Sequence, residues 1–205
     1  MPHGSETNCT ATGFNRRDFL KGSSVAVAAS AVAVTTGNNA IAQKSKQPNV
    51  TSGATDFVLN INSKDYKLHL EPRVTLLDAL RNDLNLTGAK NVDEVTASGA
   101  DTVIVDGKPV LASSRLAIEC VGQKIETIES LPQGDAVVNG FVKHDAQQCG
   151  FCTSGFVMAT RAFLQKNPKA TLKEIQTGLG GNICRCGTYQ GITQCAMEIA
   201  QKGGK

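Results

Sequence analysis

The chain has 205 residues, with 21 Lys and Arg against 18 Asp and Glu and a formal net charge of +3. So nearly balanced a charge argues against nucleic acid and anionic membrane surfaces as partners, and two Tyr with no Trp argue against a base-stacking surface. What remains is a globular protein whose seven Cys carry most of the chemical information.

Near the N-terminus, Asn15-Arg16-Arg17-Asp18-Phe19-Leu20-Lys21 looks like a twin-arginine export signal, with Asn where Ser or Thr is more usual. The weakly apolar run 23–34 that follows is too short and too rich in Ala and Ser to span a bilayer, so no direct membrane span is expected. Small residues at Ala40 and Ala42 place cleavage after Ala42. Residues 1–42 are read as a signal peptide and the mature protein as periplasmic; the bland alternative is a basic tail. Export of an already folded protein suits a chain that must receive a metal centre in the cytoplasm. Removing 1–42 leaves enough chain for one ordinary domain or two small ones.

Residues 43–53, rich in Lys, Gln, Ser and Pro, read as a linker. Alternating apolar and polar residues over 56–61 and 66–70 predict a β-hairpin turning at Ser63-Lys64-Asp65. Leu76, Leu77, Leu80 and Leu84 fall on one face of a helix over 75–84, with Thr75 as N-cap. Residues 85–101 read as a loop, 102–105 as a strand entering an Asp106-Gly107 turn, and 125–128 as a further short strand. Strands crossed by a single helix point to an α+β chain whose 54–130 part is a β-grasp (plant-ferredoxin-like) domain. After a Pro132-Gln133-Gly134 interruption the pattern turns helical, over 135–144, 154–166, 171–178 and about 190–200, a small four-helix bundle over 135–202. Thr171-Leu172-Lys173-Glu174 supplies a capping box to the third of these helices.

The bundle carries Cys149-Gly150-Phe151-Cys152 and Cys184-Arg185-Cys186, each pair where a loop meets a helix. The stretch between them is long enough for a helix out and a helix back, so the pairs can meet at one end. Four soft sulfur ligands select an iron–sulfur cluster, zinc or copper(I). Unpaired N–H groups at the helix starts would offset the thiolate charge, and Gly150 and Gly187 would let the backbone come close without a Cβ. A zinc site, a thioredoxin-type dithiol and plain disulfides are the competing readings; Cys-x-Cys makes a poor zinc knuckle, and no βαβ unit surrounds Cys149. Cys120 and Cys195 stand alone in apolar patterns and read as small buried hydrophobes.

Residues 147–155, Gln-Gln-Cys-Gly-Phe-Cys-Thr-Ser-Gly, and 181–190, Gly-Asn-Ile-Cys-Arg-Cys-Gly-Thr-Tyr-Gln, closely resemble the helical-domain 2Fe–2S site of the iron–sulfur subunits of molybdenum hydroxylases, the xanthine oxidase family. Leu76-Leu77-Asp78-Ala79-Leu80-Arg81, Leu86-Thr87-Gly88-Ala89-Lys90 and Val105-Asp106-Gly107-Lys108-Pro109-Val110 extend the resemblance over most of the mature chain. Cys-Arg-Cys-Gly-Thr-Tyr is similar to the aldehyde or isoquinoline oxidoreductase branch, which works without a flavin subunit and passes electrons to cytochromes. The resemblance implies one 2Fe–2S cluster on Cys149, Cys152, Cys184 and Cys186, with Gln148 approaching a molybdopterin and Cys186 contacting its amino group. It implies a molybdopterin-binding large subunit that oxidises an aldehyde or N-heterocycle, a cytochrome c as candidate acceptor, and no catalytic residue in this chain. Arg185 is expected to be fixed at the subunit interface. Competing functions are a structural or assembly subunit without a redox role and a stand-alone zinc or dithiol protein.

One part of the family pattern is missing. After Thr-Gly-x-Lys the family reads Cys-Gly-x-Gly-x-Cys-Gly-x-Cys-Thr, with a fourth Cys past the Asp-Gly-x-Pro-Val turn. Those positions fall here at Asp93, Ser98, Asp101 and Ser113, and Glu94 and Thr96 replace glycines. Four oxygens do not hold a plant-type cluster, so the domain is expected to keep its fold, carry no cluster and have a looser loop for want of metal. Asp93, Glu94 and Asp101 could instead contact a hard cation such as Ca²⁺, or simply form a solvated acidic loop. Electrons would then need an exit other than a second cluster, for which a haem on a partner is the simplest candidate.

Overall fold

A computed structural model describes residues 52–93 and 97–203. The export signal, its apolar run and cleavage site, most of the linker, and Glu94 and Thr96 lie outside the described residues.

Two strands, β1 (Thr55–Ile61) and β2 (Lys64–Leu70), pair antiparallel with Thr55 opposite Leu70 and Ile61 opposite Lys64. Their loop is Asn62-Ser63, one residue earlier than the sequence pattern suggested. Both residues have positive φ, 53° and 63°, as a two-residue hairpin loop matching the strand twist requires, and Asn tolerates this conformation well. The Asn62 side chain accepts from the Thr127 N–H and donates to its hydroxyl, both at 2.9 Å. The hairpin is thereby tied to the segment that leaves the neighbouring central strand, 124–126.

The expected Leu-rich helix is a single α-turn, α1 (Leu76–Asp78), that widens into a π-turn over Ala79–Asp83. Thr75 caps it by accepting from the Asp78 N–H at 3.1 Å. The Leu84 N–H reaches back to the Ala79 carbonyl. Leu76, Leu77 and Leu80 are buried as the periodicity predicted, whereas Leu84 is carried to the margin.

Next come β3 (Thr102–Val105), β4 (Lys108–Leu111) and β5 (Lys124–Glu126). Sheet order is β2-β1-β5-β3-β4, with β1 and β5 parallel and every other pair antiparallel. The sequence pattern missed β4 because Pro109 interrupts it. An edge strand, which β4 is, tolerates a residue without an N–H. Asp106 and Gly107, both at positive φ, make the tight turn before it.

Four helices follow: α2 (Ala136–Lys143), α3 (Thr153–Lys166), α4 (Leu172–Gly178) and α5 (Tyr189–Lys202). Asp135 caps α2, accepting from the N–H groups of Val137 and Val138 at 2.9 and 3.2 Å, and its other oxygen pairs with Arg161 of α3 at 2.5 Å. Thr171 and Glu174 form the expected capping box on α4. Phe141, Phe156, Ile175, Ile192 and Cys195 centre one apolar core among the helices; Leu59, Ile61, Leu80, Val103, Ile125 and Cys120 centre another under the sheet. Cys120 and Cys195 are fully buried, matching their reading as small hydrophobes. Ile104, Met158 and Ala162 join β3 to α3, so the α+β chain packs its sheet directly on the helix that starts at the metal motif. Among the described residues no helix is long and apolar enough to cross a membrane.

Asp135→Ala removes a helix cap and strips Arg161 of its partner in one step. Urea denaturation is expected to show a loss of about 2–4 kcal/mol, with Asp135→Asn, which keeps the cap, losing less.

Candidate metal centre

The four motif cysteines come from the loop between α2 and α3 and from the loop between α4 and α5. Cys152 is the residue that starts α3: its carbonyl receives the Phe156 N–H at 3.0 Å, and its sulfur makes no capping bond. Cys184 and Cys186 sit just ahead of α5. Gly150 and Gly187 each follow a cysteine at positive φ, 85° and 81°. An added Cβ would meet nothing within 4 Å at either glycine. The left-handed turn of the backbone is a reason for glycine at both positions, and it leaves the space beside them open.

The cysteines of the two loops are neighbours: the Cys152 thiol feels that of Cys184, and the Cys186 thiol that of Cys149. The first pair lies inside, with Cys184 6% exposed, and the second at the surface. Among the described residues, no three His, Cys, Asp or Glu side chains converge as a single-ion site would require. Two cross-loop thiol pairs are the donor arrangement that a two-iron centre asks for, two sulfurs to each iron. The hydroxyls of Thr153 and Ser154, directly after Cys152, are buried without a hydrogen-bond partner among the described residues. Leftover donors beside the sulfurs also fit a bound anionic group.

Electrostatics separates the inner pair. Burial, then the Cys184 thiol and the charges of Cys184 and Cys149, push the Cys152 thiol up to about 12. Burial acts in the same direction on Cys184 but is outweighed. The Thr188 hydroxyl and N–H, the Cys152 thiol and the Cys186 N–H bring Cys184 down to about 7. The two thiols act on each other in opposite directions, so the pair titrates as a unit.

Thr188 and Tyr189 are the residues that spacing alone did not single out. The Thr188 hydroxyl donates to the Cys184 sulfur at 3.1 Å, and the Cys184 N–H donates to the Tyr189 hydroxyl at 2.8 Å. The Tyr189 ring stands edge-on to Phe156 of α3, centroids 6.1 Å apart, and so links the two loops. A hydroxyl four residues after a thiol, at the start of a helix, was the available signal for Thr188. Gln148 and Arg185 are exposed beside the outer pair, and Phe151 and Ile183 add apolar surface there at 60% and 52% exposure.

Residues 127–197 match the [2Fe–2S] binding domain, and residues 13–33 match the twin-arginine translocation pathway signal sequence. The chain is 37% identical over 157 residues to the nicotine 6-hydroxylase small subunit of Paenarthrobacter nicotinovorans, covering 75% of this chain and 95% of that protein. It is 35% identical over 203 residues to the aldehyde oxidoreductase iron–sulfur-binding subunit PaoA of Escherichia coli O157:H7, covering 90% and 87%. The chain belongs to the iron–sulfur subunits of the molybdenum hydroxylase family. Quinoline 2-oxidoreductase from Pseudomonas putida 86 has a chain of the same fold, with a TM-score of 0.70 at 35% identity, over 75% of this chain and 98% of that one.

In this iron–sulfur subunit the four positions where the family pattern places further cysteines do not come together as a ligand set. They bond in pairs instead, Asp93 with Ser98 and Asp101 with Ser113. The Ser98 hydroxyl leads, with the N–H groups of Ala97 and Ser98, in holding the Asp93 carboxyl below its usual range; burial opposes them. Each carboxylate is engaged by its own serine, and neither shares a site with the other.

In metal-free protein, a thiolate absorbance titration read against Cys184→Ser is expected to show Cys184 ionising at about 7. Thr188→Val, which deletes the hydroxyl and keeps the shape, is expected to move that ionisation upward.

Proposed function

We propose that the chain is the electron-transfer subunit of an exported molybdenum hydroxylase complex that oxidises an aldehyde or N-heterocycle, and that Cys149, Cys152, Cys184 and Cys186 hold its single [2Fe–2S] cluster. The observation that carries this is that the four cysteines stand as neighbours across two loops within the stretch that matches a [2Fe–2S] binding domain. The substrate classes come from the names of its relatives, which include a nicotine hydroxylase, an aldehyde oxidoreductase and a quinoline oxidoreductase.

A [2Fe–2S] centre, when bound, passes single electrons. The chain's own residues prepare the place for it. Thr188 and the N–H groups of Cys186 and Thr188 direct donors at the Cys184 sulfur, which favours the thiolate form that a metal requires. Tyr189 and Phe156 fix the Cys184 loop against α3. The outer pair opens to the surface beside Gln148, Phe151, Ile183 and Arg185. This is the face we assign to the molybdopterin-binding large subunit, with Gln148 and Cys186 toward the pterin. No residue of this chain is assigned to substrate chemistry.

We assign residues 54–130 to a β-grasp domain without cluster ligands and 135–202 to a helical bundle that carries the cluster, on the strength of the mixed sheet and the four helices after it. The match to a twin-arginine signal supports a periplasmic mature protein, with 1–42 as the signal peptide and 43–53 as a linker. A cytochrome c is the acceptor favoured here, because the ligand positions of a second relay hold oxygens and not thiols.

Iron and acid-labile sulfide, measured on protein purified with its partners, are expected at about two each per chain, with one EPR signal from the reduced sample. Cys184→Ser is expected to lose both. Four irons with two signals would overturn the single-cluster reading, and zinc or freely titrating thiols without iron would overturn electron transfer.

A further inference from the structure

The described residues at the four oxygen-bearing positions are hydrogen-bonded to one another in pairs. Asp93 accepts from the Ser98 hydroxyl at 2.6 Å with one oxygen and from the N–H groups of Ala97 and Ser98, at 2.5 and 3.0 Å, with the other. Asp101, 3% exposed, accepts from both the N–H (2.7 Å) and the hydroxyl of Ser113 with one oxygen. The spacing of the first three positions is that of a plant-type ligand set, Cys-x₄-Cys-x₂-Cys, with the fourth farther on. Hydrogen bonds join first to second and third to fourth. A cluster would cross-link those same four points through metal and sulfide; here hydrogen bonds cross-link them without either.

What the cross-links hold is the backbone between them, and that backbone faces the metal centre. The Ser98 carbonyl accepts from the Ile183 N–H at 2.8 Å. The Gly99 carbonyl accepts from the Asn182 side-chain amide at 2.8 Å and from the Thr102 hydroxyl at 2.7 Å. Asn182 and Ile183 immediately precede Cys184. On the other motif's helix, Gly155 lies so close to Gly99 and Ala100 that any Cβ would collide with the Gly99 carbonyl. Residues 98–100 thus touch the supports of both cysteine loops.

We propose that the Asp93–Ser98 and Asp101–Ser113 pairs act as a metal-free clamp in place of a second cluster, and that this clamp positions the Cys184 loop of the remaining one. Asp93, Ser98, Asp101 and Ser113 are positioning residues: they act through Ser98–Gly99 and Asn182–Ile183 and touch no thiol ligand themselves. The proposal rests on the reading of Cys184 as a cluster ligand. The second oxygen of Asp101 is buried without a partner among the described residues, so the clamp engages one oxygen at this position.

The test uses the complex as purified with its partners and follows the EPR line shape and midpoint potential of the reduced cluster, and iron loss to a chelator. Ser113→Ala is expected to release iron about tenfold faster, the scale of one lost hydrogen bond, and Asp93→Ala, which loses three, at least as fast, both with an altered line shape and a displaced potential. Ser98→Thr and Asp101→Asn, which keep the hydroxyl and the acceptor oxygen, are expected to behave as wild type. Leu68→Ala, in the sheet core away from the clamp, is expected to lower the melting temperature and leave the EPR signal unchanged. Alanine variants with unaltered spectra and iron loss, or a Leu68→Ala variant with the same spectral change, would overturn the clamp. Should Asp93→Ala not fold, Ser113→Ala alone decides, since the Ser113 N–H still reaches Asp101. Wild-type protein without iron would instead sink the proposed function. The clamp is then read from the alkylation rate of Cys184, expected to rise about tenfold in the alanine variants, an unchanged rate overturning it.

Discussion

Four thiols drawn to one place are a liability in an otherwise apolar bundle, and much of the surrounding structure answers to that fact. Ionising any one of them makes the next harder to ionise, so Cys152 is pushed up while Cys184 is drawn down. The donors gathered around Cys184, a hydroxyl and two backbone N–H groups, provide a positive surrounding that does not depend on any metal. Helix starts are where unpaired N–H groups are found, and this explains why both motifs sit at such places. The chemistry of the site and the layout of the helices are in this sense one problem.

The sheet half has a part in the same problem although it offers no thiol of its own there. Its loop presents carbonyls to the segment before Cys184 and packs backbone against backbone at Gly155. The sheet half thus forms a wall of the half that carries the four motif cysteines. Met158 and Ala162, on the α3 face against Ile104, continue the contact away from the metal motif.

Much of this was legible in the residues and some of it was not, for reasons that are local. The cysteine pairs announce themselves because two short spacings of a scarce, soft ligand have few bland explanations. The α3 and α5 helices follow from their apolar periodicity, and α4 from a capping box. The hairpin turn was misplaced because Asn62-Ser63 needs left-handed backbone at both residues without the Gly that usually signals it. Strand β4 was hidden by Pro109, which only its edge position permits. The widened turn after Leu76 leaves no mark in a leucine pattern that suits an α-helix as well. Gly150 and Gly187 stand out in the sequence, but the left-handed backbone that both adopt does not. The Asp–Ser bonding was beyond reach, because loss of thiols can be read from a sequence but the partners chosen by their replacements depend on tertiary placement.

The bond from the Asn182 side chain to Gly99 joins residues 83 positions apart in the chain. Contacts of such separation close only after the intervening strands and helices have been brought together, and the entropy of that closure opposes them until then. The Cys184 loop therefore gains its anchor late in folding, after the sheet half has formed around its own core. A chain that leaves the cytoplasm folded must complete this order of events before it meets the translocase. The ligand loop then becomes a checkpoint: a molecule whose sheet half is unfinished presents Cys149 and Cys152 without a settled Cys184 opposite them.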